Sequence, residues 1–285
     1  MTAITSIAKP IRNTGKSVGD LFEEAGKQLT FYAQVMGEIV FNWRIKVKYA
    51  NVMLGLVSDI TIGAGALIIG GGMVFVIFSM SFFTGTEVGL QGFAGLEQIG
   101  AESFTGLIGS FANTREVTPL IAGVALAAQV GAGFTAELGA MRISDEIDAL
   151  EGMSVPSKPY LVATRVTASV IAIVPLYLIA LFSSFFATKL ISTQFFGMSS
   201  GVYDYYFQLY LPPIDVFFSV LKAAIFAVVV ALIHCYYGYN ASGGPAGVGV
   251  AVGRAIRLSI VAVVVINFVL SLVFWGGGDT VSLSG

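Results

Sequence analysis

Five long apolar stretches, separated by short segments that carry most of the charges, constrain this sequence more than any other feature. They cover residues 60–83, 117–136, 166–188, 214–237 and 258–276. A helix needs about 20 mostly apolar residues to cross the roughly 30 Å of hydrocarbon in a bilayer. Charged residues make up only 11% of the chain, whereas a soluble domain carries about 25%. The sequence therefore predicts an all-α integral membrane protein with five transmembrane helices.

The lysines and arginines predict the orientation of these helices. Most of them lie before the first stretch, between the second and third, and between the fourth and fifth, whereas the other connections are mainly acidic. Basic residues favour the cytoplasmic side of a membrane. We therefore expect a multi-pass protein of the cell (inner) membrane, with its N-terminus in the cytoplasm and its C-terminus outside. Lys222, near one end of the fourth stretch, is expected to extend its ammonium group to the interface.

Residues 1–50 are expected to form a cytoplasmic segment ahead of a membrane domain at residues 51–285. Apolar residues recur at helical spacing from Leu21 to Trp43, while polar residues lie off that stripe. This segment is too polar to cross a membrane. It is either an amphipathic helix that lies along the cytoplasmic interface or an ordinary helix packed on a partner.

The composition argues against several classes of function. His234 and Cys235 are the sole histidine and cysteine, so no multi-cysteine metal site is expected, and no catalytic cluster can be built around either residue. Gly131 begins a G-x-G-x-x-A run, but this run lies inside an apolar stretch and lacks the strand that a dinucleotide site needs. The glycine-rich turn at 243–247 lacks the Lys and Ser/Thr of a phosphate-binding loop. No metal and no cofactor are expected, and any ATP must be bound by another chain.

Arg115 and Glu116 stand at the mouth of the second stretch. Charges at membrane depth are costly and often mark a transport pathway. The alternative is an interfacial ion pair that ends the helix.

A short cytoplasmic helix is predicted between the second and third stretches. Ser144 is the expected N-cap, acidic residues follow in the first turn, and Gly152 is expected to end the helix. Apolar residues share one face, so the helix is expected to lie in a groove of a soluble partner. The residues assigned to this contact are Glu137, Ile143, Asp145, Glu146, Ile147, Leu150 and Glu151.

The outer connection at residues 192–213 is rich in Phe and Tyr. It is either an aromatic belt at the membrane boundary or a docking surface for an extracytoplasmic partner.

Several of these segments resemble the MlaE/YrbE permease family. The resemblance rests on R-E-V-T-P-L from Arg115, on A-A-Q-V-G-A-G-F-T-A-E-L-G-A-M-R-I-S-D-E-I-D-A-L-E and on P-Y-L-V-A-T-R-V-T-A. The second of these, with the later C-Y-Y-G-Y-N-A-S-G-G-P-A-G-V-G, is similar to the actinobacterial YrbE proteins of Mce operons, with the B-type favoured. One departure is that Gly152-Met153-Ser154 stands where the family usually has V-M-G.

The resemblance implies the permease subunit of an ATP-driven lipid transporter, with no catalytic activity of its own. The implied partners are cytoplasmic ABC ATPase subunits, a second YrbE-like permease in a homo- or heterodimer, and MCE-domain proteins outside the membrane. The implied cargo is a lipid: a fatty acid, mycolate, sterol or phospholipid. The acidic cytoplasmic helix corresponds to the family's coupling helix, and Arg115 and Glu116 lie near its lipid pocket. We expect Met73 and Phe75 to line the lipid tails. Nucleic acid is not an expected partner.

Two other classes remain open. An ion-coupled secondary transporter of a hydrophobic substrate requires ionisable residues within the spans, and an intramembrane enzyme requires a catalytic cluster.

Overall fold

The chain is described by a computed structural model over residues 11–41, 48–63 and 72–276. Within these ranges every regular element is helical, and five helices are long and apolar enough to cross a membrane. The predicted all-α class and the predicted number of spans are confirmed. The helices are α1 (Ile11–Phe41), α2 (Ala50–Thr61), α3 (Met73–Glu97), α4 (Glu102–Ile143), α5 (Glu146–Gly152), α6 (Lys158–Phe195), α7 (Ser200–Leu209), α8 (Pro213–Tyr239) and α9 (Gly244–Trp275), and the candidate spans are α3, α4, α6, α8 and α9.

The first candidate span lies later in the chain than the sequence predicted. The stretch 60–83 holds the end of α2 and the start of α3 instead of one helix. Residues 64–71 lie outside the described ranges, but the described ends beside them meet, since a Cβ added to Gly72 would come 2.3 Å from the carbonyl oxygen of Ile62. Gly63, at φ +73°, adopts a backbone conformation that ends a helix. A helix therefore ends just before Gly63, within the stretch 60–83 that hydropathy alone predicts to be one continuous span.

Other candidate spans extend beyond the predicted stretches because their helices continue through charged residues. α4 contains Arg115, and α6 contains Arg165. The prediction ended each stretch near such a charge. In the structure these charges have partners within the bundle, Arg115 with Asp215 and Arg165 with Glu137. A paired charge does not have to leave the apolar layer, so the helix can continue through it.

Small residues bring the spans into close contact. α3 meets α6 at Gly85, where a Cβ would lie 2.4 Å from the carbonyl oxygen of Ser184. α4 meets α8 at Gly131, where a Cβ would lie 2.5 Å from Cδ2 of His234. The interpretation of the Gly131 run as a helix contact is confirmed. Such contacts suit helices in lipid, where association depends on close packing.

α1 packs one edge against the end of the bundle where α8 ends. Phe31 and Val35 are buried, and the Phe31 ring lies 5.4 Å from that of Tyr236, edge to face. Leu29 and Phe41 stay exposed. The helix therefore contacts its own membrane domain and still presents apolar surface, as an interfacial helix does. Trp43, the last residue of the predicted stripe, lies outside the described ranges.

Candidate functional site

The predicted pair Arg115 and Glu116 lies in a π-helical turn of α4. A π-helical turn shifts the backbone hydrogen bonds, and such turns are frequent at functional sites. Side chains of α8 bind two carbonyl oxygens of this turn. The hydroxyl of Ser219 donates to the carbonyl oxygen of Thr114 at 2.5 Å, and the ammonium of Lys222 donates to that of Arg115 at 2.6 Å. α8 therefore supports the backbone of the turn.

Arg115 is buried and pairs with Asp215. Its Nη2 and Nε lie 2.7 and 2.8 Å from Oδ2 of Asp215. The indole Nε1 of Trp275 donates to the other carboxylate oxygen of Asp215 at 2.8 Å. The guanidinium also lies 4.1 Å from the centre of the Phe111 ring, a cation–π distance. With these contacts Arg115 joins α4, α8 and α9.

Glu116 faces the other way and keeps 44% of its side-chain surface exposed. It accepts a hydrogen bond from Nδ2 of Asn267 at 2.7 Å and a short one from the hydroxyl of Ser271. The ammonium of Lys222 lies 3.6 Å from Oε2 of Glu116. This arrangement fixes the carboxylate from one side and leaves the other side open.

One of the two alternatives for Arg115 and Glu116, and the expectation for Lys222, are corrected here. Arg115 and Glu116 do not pair with each other, because the π-helical turn directs one to Asp215 and the other towards Lys222. Lys222 does not extend to the interface, because its side chain is fully buried and donates to Ser271 at 2.6 Å as well as to the turn. A buried lysine needs such partners, since desolvation of an unpaired ammonium is costly.

The two residues expected to line the lipid tails differ in position. Met73 is completely buried at the start of α3, whereas Phe75 is 62% exposed. In this conformation Phe75 is available to a lipid, and Met73 packs within the chain.

The short helix predicted between the second and third spans is present as α5, but it begins differently from the prediction. Ser144 ends α4, and its hydroxyl donates to the carbonyl oxygen of Ala140 at 2.9 Å instead of capping α5. Asp145 precedes α5 in a left-handed conformation at φ 58°. This conformation turns the chain sharply between α4 and α5. Ser154, where the family usually has Gly, also adopts a left-handed conformation at φ 59°.

The apolar face of α5 does not form the expected outward ridge. Ile147 is completely buried, and Leu150 is half-buried against the protein's own core. Of the predicted ridge only Ile143 is exposed. The outward surface of this region is acidic instead, with Met153 as its most exposed large apolar residue. Its acidic members are Asp145, Glu146, Asp148 and Glu151.

Most of the nearby charges have partners within the chain. Arg142 pairs with Asp148 at 2.7 Å. Glu151 accepts a hydrogen bond from the hydroxyl of Ser157 at 2.5 Å. Glu137 pairs with Arg165 of α6 at 3.0 Å and so ties α4 to α6. Asp145 and Glu146 remain exposed at the turn. Glu146 accepts a hydrogen bond from the hydroxyl of Ser144 at 2.9 Å, and neither carboxylate has an ion pair among the described residues.

His234 has a structural environment. It is buried between Thr135 and Ser259, with ring–hydroxyl distances of 2.8 and 3.1 Å. Across the described ranges no three His, Cys, Asp or Glu side chains are grouped so that they could hold a metal ion.

Residues 62–273 match the sequence profile of the family described as permease MlaE. The chain belongs to the MlaE permease family. A probable ABC transporter permease protein of Rickettsia bellii is 32% identical over 70% of this chain and 77% of its own length. A probable ABC transporter permease protein of Synechocystis is 34% identical over 64% of the chain and 69% of its own length. The intermembrane phospholipid transport system permease protein MlaE of Haemophilus influenzae is 26% identical over 72% and 79%.

Sequence reasoning missed most of the cluster around the π-helical turn of this MlaE-family permease. The missed residues are Asp215, Ser219, Asn267, Ser271 and Trp275. One signal was available, because Asp215 and Lys222 are seven residues apart and therefore lie on one face of α8. Two charges on one face of an apolar helix indicate a polar contact inside the bundle.

Proposed function

We propose that this chain is the permease subunit of an ATP-driven lipid transporter of the Mce/Mla type. It moves lipids between the membrane and a conduit of MCE-domain proteins outside the membrane. Support comes from the family and from relatives named as ABC transporter permeases and as a phospholipid transport permease. The actinobacterial, B-type assignment belongs to this proposal.

The observation that carries the proposal is the continuity of α4. Its N-terminal half holds the π-helical turn with Glu116, and its C-terminal end leads through Asp145 directly into α5. A displacement of α5 by a cytoplasmic partner would therefore act on the same helix that carries Glu116. An ATP-driven permease needs such a link, because a ligand can shift an equilibrium only through its different contacts in the two states.

Glu116 is the residue proposed to contact the lipid head. Its carboxylate is half exposed and is fixed by Asn267, Ser271 and Lys222. An ionised carboxylate that faced hydrocarbon would be costly, so its open side requires a polar contact. Phe75 contributes apolar surface for the tails, and Arg115 supports the site through Asp215 without contacting the lipid.

α5 is proposed to dock into a cytoplasmic ABC ATPase. Asp145, Glu146 and the exposed Met153 fit a groove with a basic rim and an apolar floor. The charge and the position of this surface replace the apolar ridge that we expected from the sequence. Nucleotide is bound by the ATPase, and a second YrbE-like permease completes the membrane part of the transporter.

The test is purification in mild detergent from membranes of cells that produce the protein, followed by mass spectrometry of bound lipids and of co-purifying subunits. We expect an ABC ATPase, a second permease, an MCE-domain protein and a bound lipid. Recovery of the chain without an ATPase, under conditions that preserve other ABC transporters of the same membrane, would contradict the proposal.

One observation favours the second candidate, an ion-coupled secondary transporter. The buried charges of Lys222, Arg115 and Asp215 provide ionisable groups that the sequence did not place within the bundle. Substrate transport by the permease alone, driven by a proton gradient in vesicles, would favour that function.

A further inference from the structure

A groove opens at the end of the bundle opposite α5. It lies between the C-terminal end of α3, the start of α4 and the connection from α6 to α7, and its volume is about 570 Å³. Its walls include Phe93, Glu97, Glu102, Phe196 and Val202. Under the proposed orientation this end faces the outside of the membrane.

A pair of phenylalanine rings forms part of the floor of the groove, beside polar residues. The rings of Phe93 and Phe196 stack 4.1 Å apart and nearly parallel. Met198 and the exposed Val202 extend the apolar surface. Phe196 is held in place by the turn at Gly197, whose φ is +71°. The floor is therefore built by internal packing and does not depend on an occupant.

The rim of the groove carries acidic side chains that have no basic partner among the described residues. Glu97 and Glu102 line it, and neither side chain has an ion pair or a hydrogen bond within the described residues. Among the described residues that form the walls there is no Lys, Arg or His. Lys189, a basic residue at this end of the bundle, pairs with Asp204 at 2.8 Å. The groove thus presents two free carboxylates above a floor that includes two phenylalanine rings.

We propose that this groove docks a segment of an extracytoplasmic protein through a Lys or Arg side chain. The aliphatic stem of such a residue packs on apolar surface while its cation stays near polar groups. A cation within about 6 Å of an aromatic ring is also attracted by the ring face. The two carboxylates on the rim complement the charge, which favours both docking rate and specificity. This inference rests on the proposed function, which supplies the partner outside the membrane.

The aromatic connection at residues 192–213 was expected to be either a belt at the membrane boundary or a docking surface. Tyr203 is buried, and its ring stacks with that of Phe207 inside the protein. Phe196 forms part of the floor, whereas Phe195 beside it is 70% exposed. Part of the connection is therefore internal packing, and the part next to the acidic rim forms the docking surface.

The test uses the full chain in its native membrane, with the photo-reactive residue p-benzoylphenylalanine in place of the exposed Ser199 at the edge of the groove. We expect irradiation to link the chain to one extracytoplasmic protein, through a peptide that contains Lys or Arg. The double variant Glu97→Lys/Glu102→Lys is expected to lower the yield of this product by about tenfold or more, because like charges then face each other. Changing the linked basic residue of the partner to Glu is expected to restore the product.

The matched control is Glu87→Lys, which reverses an exposed charge on the same helix outside the groove. Its cross-linking yield is expected to equal that of the unchanged chain. Products formed only with lipid, only with a second copy of this chain, or with a peptide lacking Lys and Arg would overturn the inference. An undiminished cross-linking yield in the double variant would also overturn the inference. Co-purification of the ATPase is measured in parallel, so a failed docking site is distinguished from a failed transporter assignment.

Discussion

Glu116 is the first residue to test by substitution, because hydrogen bonds hold one side of its carboxylate while the other side is exposed. Removal of a charge-assisted hydrogen bond costs about 1.5–3 kcal/mol, and about 1.4 kcal/mol corresponds to tenfold in affinity. We expect Glu116→Ala to lower lipid transfer by the reconstituted transporter about tenfold while expression and ATPase binding persist. Glu87→Ala removes an exposed carboxylate elsewhere and is expected to leave transfer unchanged. Equal transfer by both variants would remove Glu116 from the lipid site.

Asp215 has a different role, because it neutralises a buried cation. Asp215→Ala leaves Arg115 without its partner, and an uncompensated buried charge costs roughly 3–5 kcal/mol. The control is Asp204→Ala, which breaks the part-exposed pair with Lys189 and is expected to cost less than about 1 kcal/mol. Thermal unfolding of the detergent-purified protein is the measurement. Similar melting temperatures for the two variants would contradict the structural role of the Arg115 contact.

The sequence pointed to Arg115 and Glu116, but it revealed neither Asp215 nor how these charges pair. Arg115 and Glu116 are neighbours in the chain, and a pair between them was one of the two alternatives that the sequence left open. Their actual partners lie on α8 and α9, about 100 or more residues away. Such pairing depends on how each helix is rotated about its axis and on the π-helical turn, and neither follows from local sequence.

Among the elements, α5 has the clearest division between an inward and an outward face. Because Ile147 is buried in the chain itself and Asp145 and Glu146 are exposed, we expect recognition by charge. The variant Asp145→Lys/Glu146→Lys is expected to lose most of its co-purifying ATPase. Reversal of Glu23 and Glu24, exposed on α1, makes the same change of charge and is expected to retain it. Full retention of the ATPase by the α5 variant would show that this surface does not dock.

The existence of the helices could be predicted well, because about 20 consecutive apolar residues have few alternatives. Their ends could not. α4 and α6 continue through arginines whose partners are contributed by other helices. The break between α2 and α3 depends on glycines that hydropathy treats as neutral. For α5, Ser144 met the usual preference for an N-cap, but the left-handed Asp145 moved the start of the helix beyond it.

The predicted topology of the whole molecule, with the N-terminus in the cytoplasm, can be tested by cysteine labelling. The test is simple because the chain has a single native cysteine. Cys235 is buried, so the unchanged chain is expected to resist thiol reagents. Ser199 and Ser154 are exposed near opposite ends of the bundle. In intact cells a membrane-impermeant maleimide is expected to label Ser199→Cys, and to label Ser154→Cys only after permeabilisation. The reverse pattern would invert the topology.

We propose that ATP hydrolysis by a partner drives lipid movement through this permease. The most direct test of this proposal is to measure lipid transfer by the purified transporter in proteoliposomes, with ATP, without ATP, and with the Glu116→Ala chain. We predict transfer with ATP, little transfer without it, and reduced transfer with the variant at an unchanged rate of ATP binding by the partner. Transfer that is equally fast without ATP, or that follows an imposed proton gradient in the absence of the ATPase, would contradict the account.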